Sequence, residues 1–137
     1  MNAIVDTNVV AYYILGTEPF VEETKAFWRV VEKVYAPSLW AAEFANVVWM
    51  AIRAQVLPAD EGQQRLKLAA RLGIRSVPVR TVWHGALGQA TTADVSVYDT
   101  LFVELAARRR LPLVTFDAKV LKAFPDVAHR PGSLLAN

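Results

Sequence analysis

The chain has 137 residues, 54% of them hydrophobic and 20% charged. That length favours one domain with a core of its own, and that composition excludes an intrinsically disordered chain. A net charge of +2 excludes a polybasic nucleic-acid tail, and the lack of cysteine excludes disulfides, thiolate catalysis and cysteine-type zinc sites.

No stretch approaches the roughly 20 apolar residues that cross a bilayer. The start, Met1 to Asp6, lacks the basic n-region of a signal peptide. The expectation is a soluble cytoplasmic protein with some apolar surface left for a partner.

Short apolar runs alternate with long helical stretches, which predicts βαβ units around a parallel sheet. Ala3–Asp6 reads as the first strand. Val9–Leu15 and Val21–Val34 read as helices, with Gly16, Thr17 and Pro19 as punctuation between them. Val34–Pro37 reads as a second strand, and Ser38 as a cap for a helix running to about Gln55. That helix is apolar almost all round, apart from a stripe of Glu43, Asn46 and Arg53, so it is expected to be largely covered with its stripe on a cleft.

A further helix runs from Pro58 towards Gly73. Ile74–Val79 is the third expected strand. Val82–Ala93 is helical in pattern despite Gly85 and Gly88. Val97–Arg110 has Tyr98, Leu101, Phe102 and Leu105 at helical spacing. Leu111–Phe116 reads as a fourth strand, Ala118–Phe124 as a short helix, and Val127–Arg130 as a fifth, edge strand closed by Pro131-Gly132.

Four acids stand at places that matter in such a fold: Asp6, Glu43, Asp99 and Asp117. Each has an ordinary explanation. Asp6 suits an Asx turn, Glu43 a solvent face, Asp99 a capping box with Ser96, and Asp117 an N-cap. Collectively they have another. Asp6 and Asp117 end predicted strands, and the Glu43 and Asp99 helices begin at the same sheet edge if those strands are parallel. Open parallel sheets bind ligands in the crevice outside the strand C-termini. Carboxylates gathered there raise one another's pKa, and a divalent cation relieves that cost. Oxygen ligands without His or Cys favour Mg²⁺ or Mn²⁺ over zinc. The chemistry such a site suits is metal-assisted hydrolysis of a phosphodiester.

The motifs Ile4-Val5-Asp6-Thr7-Asn8-Val9-Val10, Ser38 to Glu43, Ser96-Val97-Tyr98-Asp99-Thr100-Leu101 and Leu113-Val114-Thr115-Phe116-Asp117, in this order, resemble the PIN domain. More closely they resemble the VapC-type toxins of bacterial toxin–antitoxin modules. The resemblance implies a three-layer α/β/α fold with a mostly parallel five-stranded sheet. It implies a Mg²⁺-dependent endoribonuclease with Asp6, Glu43, Asp99 and Asp117 as catalytic, metal-binding carboxylates. It also implies supporting roles for Asn8, which holds the first carboxylate or a water, and for the Thr115 hydroxyl. The implied partners are an RNA substrate, a cognate antitoxin and a second copy of the chain.

Other residues are less telling. Asp94 reads as a solvated loop acid, with a supporting role at the site as the alternative. His84 and His129 have no companions at ligand spacing. Trp28, Trp40, Trp49 and Trp83 suit the core or an interface, and Tyr12 and Tyr13 suit either helix packing or a substrate groove. Arg65, Lys67, Arg71, Arg75 and Arg80 cluster in one segment, while Arg108-Arg109-Arg110 falls at the helix end opposite the carboxylates.

Rival functions are a solitary PIN-type RNA-processing nuclease, a phosphatase or receiver-like domain, and a non-catalytic binding module. A haloacid-dehalogenase-type phosphatase needs a second Asp where Asn8 stands. A receiver needs one after the third strand, where Pro78-Val79-Arg80 follows.

Overall fold

A computed structural model describes residues 1–136. Five strands form one sheet: β1 (Asn2–Val5), β2 (Lys33–Pro37), β3 (Arg75–Val77), β4 (Leu113–Val114) and β5 (Ala128–His129). Their order is β3-β2-β1-β4-β5, and every pairing is parallel. Ala3, Ile4, Val5, Leu113 and Val114 are all buried. Helices cover both faces of an all-parallel sheet, so its central strands read as continuous apolar runs.

The helices are α1 (Thr7–Leu15), α2 (Val21–Val30), α3 (Trp40–Arg53), α4 (Ala59–Ala70), α5 (Trp83–Ala93), α6 (Val97–Arg109), α7 (Ala118–Ala123) and α8 (Pro131–Leu135), with a 3₁₀ turn at Val79–Thr81. Strand order and the right-handed rule for crossovers decide the layers. The connections β1 to β2 and β2 to β3 step one way across the sheet, so α1 to α4 share a face. The connection β3 to β4 steps back, which puts α5 and α6 on the other. Accordingly α1 packs against α2, α3 and α4, while α6 packs against α5 and the central strands.

Several predicted boundaries shift. The second helix stops at Val30, because Val31 turns extended and Lys33 already pairs with Asn2. The third and fourth strands are shorter than Ile74–Val79 and Leu111–Phe116. Ser38 caps nothing: α3 begins at Trp40, and the Ser38 amide instead donates to the Val77 carbonyl at 2.8 Å. Gly85 and Gly88 do not interrupt α5. A Cβ on Gly85 would run into the Glu104 carboxylate of α6, which Gln89 and Arg108 hold, so glycine there leaves that carboxylate its place.

One expectation needs a larger correction. The helix around Glu43 is not largely covered: Trp40, Phe44 and Val48 are buried, but Trp49 is 53% and Met50 56% exposed. The fifth strand closes before Pro131-Gly132 as expected, and that pair then starts α8, which docks on α2. The Glu23 carboxylate on α2 accepts from Arg130 Nη2 at 2.7 Å and from the Gly132 amide at 2.8 Å. Among the described residues, no helix is long and apolar enough to cross a membrane.

Candidate active site

The strand order reverses between β1 and β4, where the chain leaves β1 in one direction and reaches β4 from the other. Such a switch point opens a crevice at the C-terminal edge of the sheet. Asp6 follows β1 there, and Asp117 follows β4 after Thr115 and Phe116. The α3 and α6 helices start at the same edge and bring Glu43 and Asp99. A cleft of about 280 Å³ is lined by all four carboxyl groups together with Thr7, Asn8, Ala11, Tyr12 and Val47.

Hydrogen bonds hold Asp6 and Glu43 in place. Asp6 is the N-cap of α1, and its Oδ1 accepts from the Thr7 amide at 2.8 Å. Its Oδ2 accepts from the Thr115 hydroxyl at 2.7 Å. The Thr115 Oγ1 in turn accepts from the Asp117 amide at 3.0 Å and from Asn8 Nδ2 at 3.3 Å. Thr115 therefore ties the ends of β1 and β4 together from a fully buried position. Asn8 reaches Asp6 Oδ2 only at 3.5 Å, and its firmer role is accepting from the Phe116 amide at 3.2 Å. Glu43 Oε1 accepts from the Thr7 hydroxyl at 2.8 Å.

Ser96 and Asp117 also act as helix N-caps. Ser96 Oγ accepts from the Asp99 amide at 3.3 Å, and Asp117 Oδ1 accepts from the amides of Lys119 and Val120. Capping and a place in the cleft are compatible, because a helix N-terminus at this edge aims its first-turn side chains at the crevice.

Burial pushes the Asp6 carboxyl up to about 7, with the Thr115 and Thr7 hydrogen bonds opposing and the Asp99 and Glu43 charges adding to the rise. Glu43 is raised by burial and then by Asp99, against the Thr7 bond. Asp99 is raised by burial and by Asp117, with the Ser96 bond and the Lys119 charge pulling the other way. In all three carboxyl groups burial is the main cause of the rise, and the neighbouring carboxylates add to it, so ionising them together in this cleft is costly. The donors are hard oxygens only, which suits Mg²⁺ or Mn²⁺. As the side chains lie, no three His, Cys, Asp or Glu among the described residues stand close enough to share an ion. Asp6, Glu43, Asp99 and Asp117 nonetheless line one cleft, so their oxygen chemistry fits such an ion although the side chains are not drawn together around one.

A family model described as the PIN domain matches residues 3–128. The chain belongs to the PIN domain family. No curated protein sequence matches it. This PIN domain is similar in structure to a chain of a toxin–antitoxin complex from Klebsiella pneumoniae, with TM-score 0.68 and 16% identity, covering 94% of this chain and 97% of that one. It is similar to a chain of VapBC2 from Rickettsia felis bound to a DNA fragment from their promoter, with TM-score 0.65 and 13% identity over 95% and 98%. It is also similar to a chain of FitAcB from Neisseria gonorrhoeae, with TM-score 0.68 and 19% identity over 96% and 99%. At these identities the likeness is one of fold.

Not every residue weighed from the sequence reaches the cleft of the PIN domain. Asp94 is exposed and closes α5 in the left-handed conformation at φ 56°. The Arg108–Arg110 run lies at the far end of α6; Arg108 pairs with Glu104 at 2.7 Å, and Arg109 stacks over Tyr35. His84 is exposed beside Trp83. Of the tryptophans, Trp40 is buried and donates from Nε1 to Ser76 at 2.9 Å, while Trp49 and Trp83 are exposed. Tyr12 serves both ways, lining the cleft and stacking on Phe20 at 4.6 Å. Sequence reasoning missed the Thr7 bond to Glu43. The only signal available was its place between Asp6 and Asn8, since its partner is 36 residues away.

Proposed function

We propose that this PIN domain is a metal-dependent endoribonuclease and the toxin of a toxin–antitoxin pair, held inactive by a cognate antitoxin. The observation that carries the nuclease reading is the set of four carboxyl groups lining one cleft at the C-terminal edge of the sheet, three of them held above the ordinary carboxylate range by burial and neighbouring charge. The toxin reading rests on likeness of fold to chains from toxin–antitoxin complexes.

Asp6, Glu43, Asp99 and Asp117 are the residues that would hold Mg²⁺ or Mn²⁺. When bound, such an ion acts as a Lewis acid, lowering the pKa of water and neutralising charge on the phosphodiester. The chain supplies the positioning. Thr115 fixes Asp6 against the end of β4, and Thr7 fixes Glu43. The α7 amides hold Asp117 through Oδ1 alone. Asn8 holds the Phe116 backbone, so the segment carrying Asp117 keeps its path.

The decisive assay is cleavage of single-stranded RNA with Mg²⁺ or Mn²⁺, set against EDTA. Asp6→Asn and Asp99→Asn should each lose activity by at least about a hundred-fold, the scale of removing a main electrostatic contributor. Undiminished metal-dependent cleavage in both variants sinks the site assignment. Arrest of growth on expression, relieved by the product of an adjacent small gene, separates the toxin from a solitary RNA-processing nuclease.

A further inference from the structure

The acidic cleft does not end at Glu43. A second pocket of about 390 Å³ shares Glu43 with it and is lined otherwise by Leu39, Ala42, Asn46 and Tyr98. The two adjoin at Glu43, beside the start of α3 and the start of α6. Tyr98 precedes Asp99 and is 68% exposed. It makes no ring pair among the described residues, whereas Tyr12 on the other side of the carboxylates is stacked against Phe20 and tilted against Phe116. Asn46 lies one helical turn beyond Glu43. Its side-chain bond within the protein is a long contact of 3.7 Å to the Met50 sulfur, so its amide has donor and acceptor capacity to spare.

Charge decides what this groove can grip. Carboxylates repel phosphates wherever no cation stands between them, and at Asp99 the Lys119 charge offsets burial and the Asp117 charge only in part. Outside the metal position, a strand lying here gains little from its backbone. It gains from its uncharged bases, which stack on an exposed ring and bond an amide. We propose that the pocket beyond Glu43 takes an unpaired nucleobase of the RNA strand, next to the phosphodiester that is cut. In this arrangement Tyr98 is the stacking platform and Asn46 reads the base edge. The proposal rests on the ribonuclease reading above. It makes the substrate single-stranded at the cleaved step, because a base in a duplex cannot reach the pocket.

The test uses the full chain with MnCl₂ and short fluorophore–quencher oligoribonucleotides covering the dinucleotide steps. Tyr98→Ala should raise KM about ten-fold on the best-cut step, with the loss falling on KM rather than kcat, while Tyr98→Trp keeps the wild-type value. One abasic nucleotide beside the cleaved phosphate should cost the wild type a similar factor and cost Tyr98→Ala little more. Asn46→Asp, which keeps acceptors but loses donors, should change which base is preferred. An unchanged KM and step preference in Tyr98→Ala overturns the proposal, as do abasic and Tyr98→Ala penalties that simply multiply. A fall in molar mass by light scattering that accompanies the loss also overturns it, since Tyr98 then serves a protein contact. If the wild type cuts no step with Mn²⁺, the ribonuclease reading itself fails, and the base pocket with it.

Discussion

Burial raises the Asp6 carboxyl from an ordinary value near 3.8 to about 7, so folding takes up a proton across that interval. Where the folded state binds more protons than the unfolded one, stability falls as pH rises. The metal-free protein should therefore lose a contribution on the order of 1–4 kcal/mol between pH 4 and 7, and level off above that. Melting curves in EDTA at pH 5.5 and 8, wild type against Asp6→Asn, isolate this group: the variant should lack that part of the slope. Mg²⁺ or Mn²⁺ at pH 8 should raise the wild-type melting temperature and leave Asp6→Asn nearly unmoved. Metal affinity should itself rise with pH through about 7, because proton and ion compete for Asp6. Thr115→Val is expected to cost roughly 1–3 kcal/mol by denaturant titration, since it strands the Asp117 amide and leaves Asp6 without its shortest bond. The carboxylates were legible in the sequence because strand-end and helix-start acids have local signatures. Thr7 was not, because a hydroxyl–carboxylate contact across 36 residues leaves no local trace.

At the scale of elements, Asp117 is both a cleft residue and the N-cap of α7. Asp117→Ala should lower stability by about 1 kcal/mol as well as activity, whereas an Asn there keeps the cap and separates the two effects. The α8 helix depends on the Glu23 clamp, which accepts from Arg130 and from the Gly132 amide. A Cβ at Gly132 would come within 3.1 Å of that carboxylate, so the clamp is close-packed there and a larger residue would shift it. Glu23→Ala should release α8, seen as faster amide exchange at Ser133–Leu135 with the sheet still protected. The α5 and α6 helices were readable from their period, but α8 was not. The five residues Pro131–Leu135 carry too little pattern, and their helix exists because α2 offers a carboxylate to its first turn.

Over the whole molecule, apolar residues left outside the core include Trp49 and Met50 on α3 and Trp83 and Leu87 on α5, the last 59% exposed. The composition anticipated such surface but not its place. Sedimentation of the isolated chain at tens of micromolar should show self-association, weakened by a Trp83→Ala, Leu87→Ala pair; a strictly monomeric wild type would contradict it. Period and punctuation sufficed for the α/β class and the parallel sheet, because apolar repeat, glycine and proline act on the chain within a few residues. They sufficed too for naming Asp6, Glu43, Asp99 and Asp117 as candidates. The order β3-β2-β1-β4-β5 gathers those four on one crevice, and it depends on contacts between residues up to 109 apart, such as Asp6 with Thr115. Burial, shared charge and the neighbouring pocket at Tyr98 arise only there, since each is a property of the space between elements rather than of any segment.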